Sequence, residues 1–123
     1  MASILLAQRG EIYYCYLDPV FGREMGGYKP RPVVVLSIND INRKLSLATV
    51  VPGTSADGKP SHFRNIVVVP SSADNGLQKE TIFMCHQLRA IDMGRFTSKR
   101  VGVLSSRDLQ RVEEAIKFNL GLL

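Results

Sequence analysis

Residues 22–32 read Gly22-Arg23-Glu24-Met25-Gly26-Gly27-Tyr28-Lys29-Pro30-Arg31-Pro32, and the apolar run Val33-Val34-Val35-Leu36 follows at once. Arg31 stands between two prolines. Pro32 biases Arg31 toward an extended conformation and Pro30 does the same to Lys29, so the chain itself limits the direction in which the guanidinium leaves the backbone. A pre-aimed guanidinium beside a flexible polar loop suits recognition of an anion. A second apolar run, Leu45 to Val51, ends in Pro52-Gly53-Thr54-Ser55, where two hydroxyls stand at a predicted turn. If the two runs pair as strands, Arg31 and Thr54 share one cleft. Read singly, the same residues also fit a solvated surface arginine, an ordinary turn and a hydrated loop glutamate.

The elements that must carry these groups are mostly short strands. From Glu11 to Leu17 one face presents Ile12, Tyr14 and Tyr16 and the other Tyr13, Cys15 and Leu17, a pattern suited to a strand covered on both sides. Further strands are predicted at Pro32–Ser37, Leu45–Val51, Ile66–Val69, Thr81–Leu88 and near Val101–Leu104. Asn39–Lys44 reads as a brief helical turn or a polar loop, and residues 53–62 as a surface loop. Leu109, Val112, Ile116 and Leu120 recur at helical spacing, with Ser105 as a cap, Asp108 completing a capping-box-like start and Gly121 as the stop. These elements indicate a mainly β, α+β fold: a small bent antiparallel barrel with a C-terminal helix.

A chain of 123 residues fits one domain that buries its own core. Residues 1–8 read as an N-terminal extension and 9–123 as the domain. The apolar start lacks the basic flank of a secretory signal, and no apolar run is long enough to cross a bilayer as a helix, which places the protein in the cytoplasm. Sixteen basic against eleven acidic residues leave a net charge of +5, favouring a polyanionic partner such as nucleic acid or an acidic peptide. The two cysteines, Cys15 and Cys85, lie in apolar runs without zinc-ligand spacing and read as buried thiols. Activation of Cys85 by adjacent His86 requires neighbours in a strand to share a face, which strand geometry opposes.

Arg9-Gly10-Glu11-Ile12, Leu17-Asp18-Pro19, Gly22 with Glu24, Gly26-Gly27 before Arg31-Pro32-Val33-Val34-Val35, Asn42-Arg43, Val51-Pro52-Gly53-Thr54-Ser55, Gln87 with Arg89, Ile91-Asp92 and Leu104-Ser105 occur in this order over residues 9–122. Their succession resembles the MazF/PemK/Kid toxins of type II toxin-antitoxin systems. The resemblance implies an SH3-like barrel, a homodimer, and an endoribonuclease (mRNA interferase) that cuts single-stranded RNA or mRNA at short sequences without metal or cofactor. It also implies a growth-inhibiting toxin silenced by a cognate antitoxin, whose acidic disordered tail occupies the RNA groove.

By position, the resemblance assigns catalysis to Arg31 and Thr54, with Glu24 as a proton acceptor or as a partner orienting Arg31. The RNA 2′-hydroxyl would attack the adjacent phosphate, leaving a 2′,3′-cyclic phosphate and a 5′-hydroxyl. Arg31 would act electrostatically, because a guanidinium is too weakly acidic to serve as a base. The expected RNA-binding residues are Arg23, Tyr28, Lys29, Ser55, His86 and Gln87. Phe21 and Phe63 can stack on bases or anchor their loops, and Lys59 and Arg64 can hold phosphates.

Departures from the family pattern carry their own expectations. A longer Gly27–Arg31 loop, and Arg23 in place of a common serine, alter base preference. Gly53 replaces a bulkier residue and loosens the placement of Thr54. His86 stands where an acidic residue is usual and Met84 where some relatives carry a basic catalytic residue, so an imidazole either takes over acid-base work or is structural. Two other classes fit the same fold: a non-enzymatic CcdB-like toxin that grips a protein, and an inactive member that binds RNA or antitoxin.

Overall fold

Val33, Val34 and Val35 are all fully buried because the strand that carries them separates two apolar cores. Successive side chains of a strand point to opposite faces. Val34 therefore joins Ile12, Val51, Phe83 and Val112 on one face, while Val33 and Val35 join Tyr13, Cys15, Leu17, Val50 and Ile91 on the other. The computed structural model describes residues 6–57 and 63–122. Seven antiparallel strands form a curled sheet: β1 (Glu11–Cys15), β2 (Arg31–Val35), β3 (Leu47–Ser55), β4 (Ile66–Val69), β5 (Thr81–Met84), β6 (Arg89–Asp92) and β7 (Gly102–Val103). Their order is β4-β5-β3-β2-β1-β7, with β6 also paired to β3. Two helices complete the fold, α1 (Asn39–Leu45) and α2 (Ser106–Leu120). This is the bent antiparallel sheet with a C-terminal helix that the pattern of short apolar runs predicts. Among the described residues no helix is long and apolar enough to cross a membrane.

Strand β3 organises the site. Its residues 50–52 pair with β2 along one edge, while on the other edge residues 47–50 pair with β6 and 53–55 with β5. The turn predicted at Pro52-Gly53-Thr54-Ser55 is thus a strand: Gly53, Thr54 and Ser55 lie opposite Phe83, Ile82 and Thr81. Proline is tolerated at residue 52 because its other edge faces the gap between β5 and β6. The strand predicted across Thr81–Leu88 is broken at that gap. A single 3-10 turn, Cys85–Gln87, separates β5 from β6 and lifts His86 and Gln87 out of the ladder.

Several boundaries also differ from the sequence reading. β1 stops at Cys15, where Tyr16 N turns to donate to Arg95 O, and β2 starts at Arg31 and stops at Val35. Leu45 closes α1, so β3 begins at Leu47. Ala7, assigned to the extension by its sequence, is buried in the second core, and its carbonyl accepts from Asn42 Nδ2.

On β4 and β5 the alternation decides what the molecule exposes. Val67, Val69 and Phe83 pack in the core beneath Val112 and Ala115 of α2, while Ile66, Ile82 and Met84 line a cleft on the opposite face. Helix α2 holds the first face closed and is capped as its sequence predicts. Ser105 Oγ accepts from Asp108 N at 3.1 Å, and Gly121 ends the helix at φ 71°.

Candidate active site

The pairing of β2 with β3 matches Val33 to Pro52, and the same register continued by two residues sets Arg31 across from Thr54. The side chains meet. Arg31 Nη1 donates to Thr54 Oγ1 at 3.1 Å, and Arg31 Nε donates to Gly26 O at 3.2 Å. The glycine-rich loop therefore grips the guanidinium from above while β3 grips it from the side. Gly27 adopts φ +116°, a conformation L side chains rarely take, and a Cβ there would stand 3.4 Å from Arg31 Nη2. Asp18 Oδ1 accepts from Gly27 N at 2.9 Å and ties the loop to the segment that follows β1. Two adjacent guanidinium nitrogens fixed in this way leave a planar fork aimed by the protein before any anion arrives.

Arg31 and Thr54 line a cleft of about 670 Å³, within the usual range for ligand sites. Ile66, Ile82 and Met84 line the same cleft, with Met25 and Phe63 from the loops and Asn65 and His86 beside them. An apolar surface next to a fixed cation suits a ligand that is flat and apolar at one end and anionic at the other. An unpaired nucleotide has this character.

The other expected residues divide by position. Glu24 does not pair with Arg31: its Oε1 accepts from Phe21 N at 2.8 Å, and it lines a separate cavity of about 350 Å³ with His86, Gln87, Leu88 and Arg89. Gln87 is a clamp on the loop. Its Oε1 accepts from Met25 N at 3.0 Å and its Nε2 donates to Arg23 O at 3.1 Å. Ser55 follows Thr54 along β3 and so faces the other way, with its Oγ buried, leaving Thr54 as the hydroxyl that lines the cleft. Arg23, Tyr28 and Lys29 are exposed on the loop, and Lys29 Nζ lies 5.8 Å from the Tyr28 ring centre. Phe21, Tyr28 and Phe63 are 86%, 82% and 63% exposed. Arg64 stacks on Phe118, 4.1 Å from the ring centre, and Lys59 lies outside the described residues.

Gly53 is confined instead of loose. A Cβ there would meet Thr81 Cγ2 at 2.7 Å and the Phe83 ring at 3.0 Å, so the strand beneath Thr54 is pressed against β5. Sequence reading missed Asn65, whose Nδ2 lies 2.6 Å from His86 Nδ1, and Asp18 as the loop tie. A lone asparagine ahead of a strand gives no periodic signal.

Cys85 is no nucleophile for this cleft. Its sulfur is buried in the core near Phe83 O and Val112 O, whereas the His86 ring is exposed. Burial pushes the Cys85 thiol up to about 12 and the Cys15 thiol up to about 11, the latter despite the opposing pull of Arg95 and Arg89. A raised thiol pKa keeps the neutral form dominant until pH approaches that value. At pH 8 both thiols should react with iodoacetamide at least about a hundredfold more slowly in the folded protein than after unfolding. Mass spectrometry of the alkylated peptides measures this, and rapid modification of Cys85 in the folded state would restore its candidacy.

A model of the family described as PemK-like, MazF-like toxins of type II toxin-antitoxin systems matches residues 8–120. The chain is 29% identical over 119 residues to the endoribonuclease EndoA of Bacillus subtilis, covering 97% of this chain and 98% of that protein. It is 31% identical over 117 residues to the endoribonuclease MazF of Staphylococcus saprophyticus, covering 95% and 93% respectively. Its fold is similar to the crystal structure of MazF from Deinococcus radiodurans, with a TM-score of 0.79 at 22% identity over 94% of this chain and 97% of that one. A mycobacterial endoribonuclease in complex with its cognate antitoxin superposes with a TM-score of 0.73 at 19% identity, over 95% and 97%.

Proposed function

The chain belongs to the PemK-like, MazF-like toxins of type II toxin-antitoxin systems, and from that membership we propose that it is a sequence-specific endoribonuclease acting on single-stranded RNA. The observation that carries the reading is the hydrogen bond between Arg31 and Thr54 inside a cleft. RNA supplies its own nucleophile. As the 2′-hydroxyl attacks the adjacent phosphorus, negative charge grows on the non-bridging oxygens, and a charged fork already held in place stabilises that charge without reorganising. Thr54 Oγ1 accepts from the guanidinium through a lone pair and carries its own hydrogen, which it can give to a phosphate oxygen. The bond to the 5′-oxygen then breaks, leaving a 2′,3′-cyclic phosphate and a 5′-hydroxyl. Neither step needs a divalent ion. Arg23, Tyr28 and Lys29 at the loop surface would contact the flanking nucleotides by charge and stacking.

In the same reading the protein is a cytoplasmic homodimer, silenced by a cognate antitoxin whose acidic disordered tail competes with RNA for this surface. The antitoxin complex of the mycobacterial relative supports such a partner, and the net charge of +5 suits an acidic one.

The test is incubation of purified protein with total RNA in excess EDTA, followed by sequencing of newly formed 5′-hydroxyl ends. Discrete cuts at one short recurring sequence are expected. Intact RNA under these conditions, or cuts that appear only when magnesium is restored, would overturn the proposal, and intact RNA in both buffers would favour a protein-binding toxin.

A further inference from the structure

Among the described residues lining the cleft around Arg31 and Thr54, the ionisable ones are Arg31 itself and His86. The guanidinium stays charged and cannot hand on a proton. Glu24 lies in the adjoining cavity with its carboxylate on the Phe21 amide. Among these described residues, the imidazole of His86 is the side chain that can both hold and release a proton. Resting on the RNA-cleaving reading above, we propose that His86 is the general acid that protonates the departing 5′-oxygen, and that Asn65 is the positioning residue that holds its ring.

The break between β5 and β6 places His86 where the proposal needs it. A side chain in the ladder would be committed to a core or to the sheet face, but the 3-10 turn at Cys85–Gln87 brings His86 out between the two cavities, and it lines both. Asn65 is tied to that turn twice. Its carbonyl accepts from Cys85 N at 2.9 Å, and its amide Nδ2 lies 2.6 Å from His86 Nδ1. A carboxamide offers hydrogens from one end and an oxygen from the other, so by turning over it satisfies Nδ1 whether that nitrogen is bare or protonated. The exchangeable proton is then the one on Nε2. Among the described residues, the charged groups that line these two cavities with the ring are Arg31 on β2 across the cleft, and Glu24 of the loop and Arg89 of β6 in the adjoining cavity; Asn65 and Met84 are neutral.

In the step itself the O2′–P bond forms as the P–O5′ bond breaks. The imidazolium gives its Nε2 proton to O5′ and becomes neutral, the 2′-hydroxyl proton passes to a water molecule, and the ring recovers a proton from solvent. No proton is created or lost overall.

The experiment compares wild type, His86→Gln and Asn65→Ala in single-turnover cleavage of two RNAs that carry a mapped cut sequence. One has the natural scissile linkage and the other has sulfur in place of the bridging 5′-oxygen. A thiolate departs without protonation, so an acid that serves the leaving group becomes dispensable. His86→Gln should cut the natural RNA at least about a hundredfold more slowly and the sulfur RNA less than about threefold more slowly. Asn65→Ala should slow the natural RNA about tenfold, shift the alkaline limb of its pH–rate profile and spare the sulfur RNA. His86 is exposed and Asn65 half-buried, so both variants should fold, which circular dichroism checks. Equal slowing of both RNAs by His86→Gln, or no slowing of either, overturns the assignment and leaves RNA cleavage standing. Failure of wild type to cut either RNA removes the underlying reading, and the assignment with it.

Discussion

Arg31→Ala should cut its RNA at least about a hundredfold more slowly than wild type in single-turnover assays, the scale on which loss of one preorganised donor acts. Arg31→Lys should recover little of that rate. The wild-type guanidinium reaches Gly26 O through Nε and Thr54 Oγ1 through Nη1, and both contacts depend on a rigid planar fork. An ammonium on a flexible stem is a compact point charge and lacks the rigid planar fork that fixes both directions together. Because Arg31 and Thr54 hold each other, their effects should not add: Arg31→Ala/Thr54→Ala should be scarcely slower than Arg31→Ala alone. A lysine variant within about threefold of wild type would show that charge alone suffices and would dissolve the argument from geometry. Strictly additive losses in the double variant would show two independent sites.

The parts of this site that were legible in the sequence are those where one residue constrains its own backbone. Prolines on both sides of Arg31 fix an extended entry into β2, and that entry sets the guanidinium across from Thr54. Helix α2 was equally legible, since the spacing of Val112 and Ile116 and the Ser105 cap are local signals. What stayed hidden depends on partners distant in sequence. Pro52-Gly53 has the composition of a turn, yet it continues β3 because Gly53 fits under Phe83 of β5 and Pro52 pairs with Val33 of β2. Gln87 has the chemistry of a base reader, but both ends of its amide are taken by backbone of the 23–25 loop, sixty-odd positions earlier in the chain. Glu24 lies in the loop that leads into Arg31 in sequence, yet in space it lines a cavity with His86 and Arg89. Long-range pairing decided each of these, and one sequence contains no direct record of it.

Gly53 is where that pairing meets function, and substitution there should damage stability and cleavage together. Gly53→Ala places a methyl 2.7 Å from Thr81 Cγ2 and 3.0 Å from the Phe83 ring. Thr81 and Phe83 are 4% and 0% exposed, so neither can swing aside into solvent. Forcing a carbon into such a space costs about 1–3 kcal/mol, and Gly53→Val, with two further carbons, belongs at or beyond the top of that range. The strain relaxes most easily by moving β3 away from β5. That movement carries Thr54 off Arg31, and a displacement of this kind in a positioned pair should slow cleavage at least about tenfold at temperatures where the variant is still folded. Denaturant unfolding and single-turnover cleavage measure the two effects. Removing the closest obstacle should reverse both in part: Gly53→Ala/Thr81→Ser should be more stable and faster than Gly53→Ala, although Thr81→Ser alone is expected to lose stability through its missing buried methyl. Gly53→Val with wild-type stability and wild-type cleavage would mean that β3 has room to spare, and that the position of Thr54 is set by something other than its contact with β5.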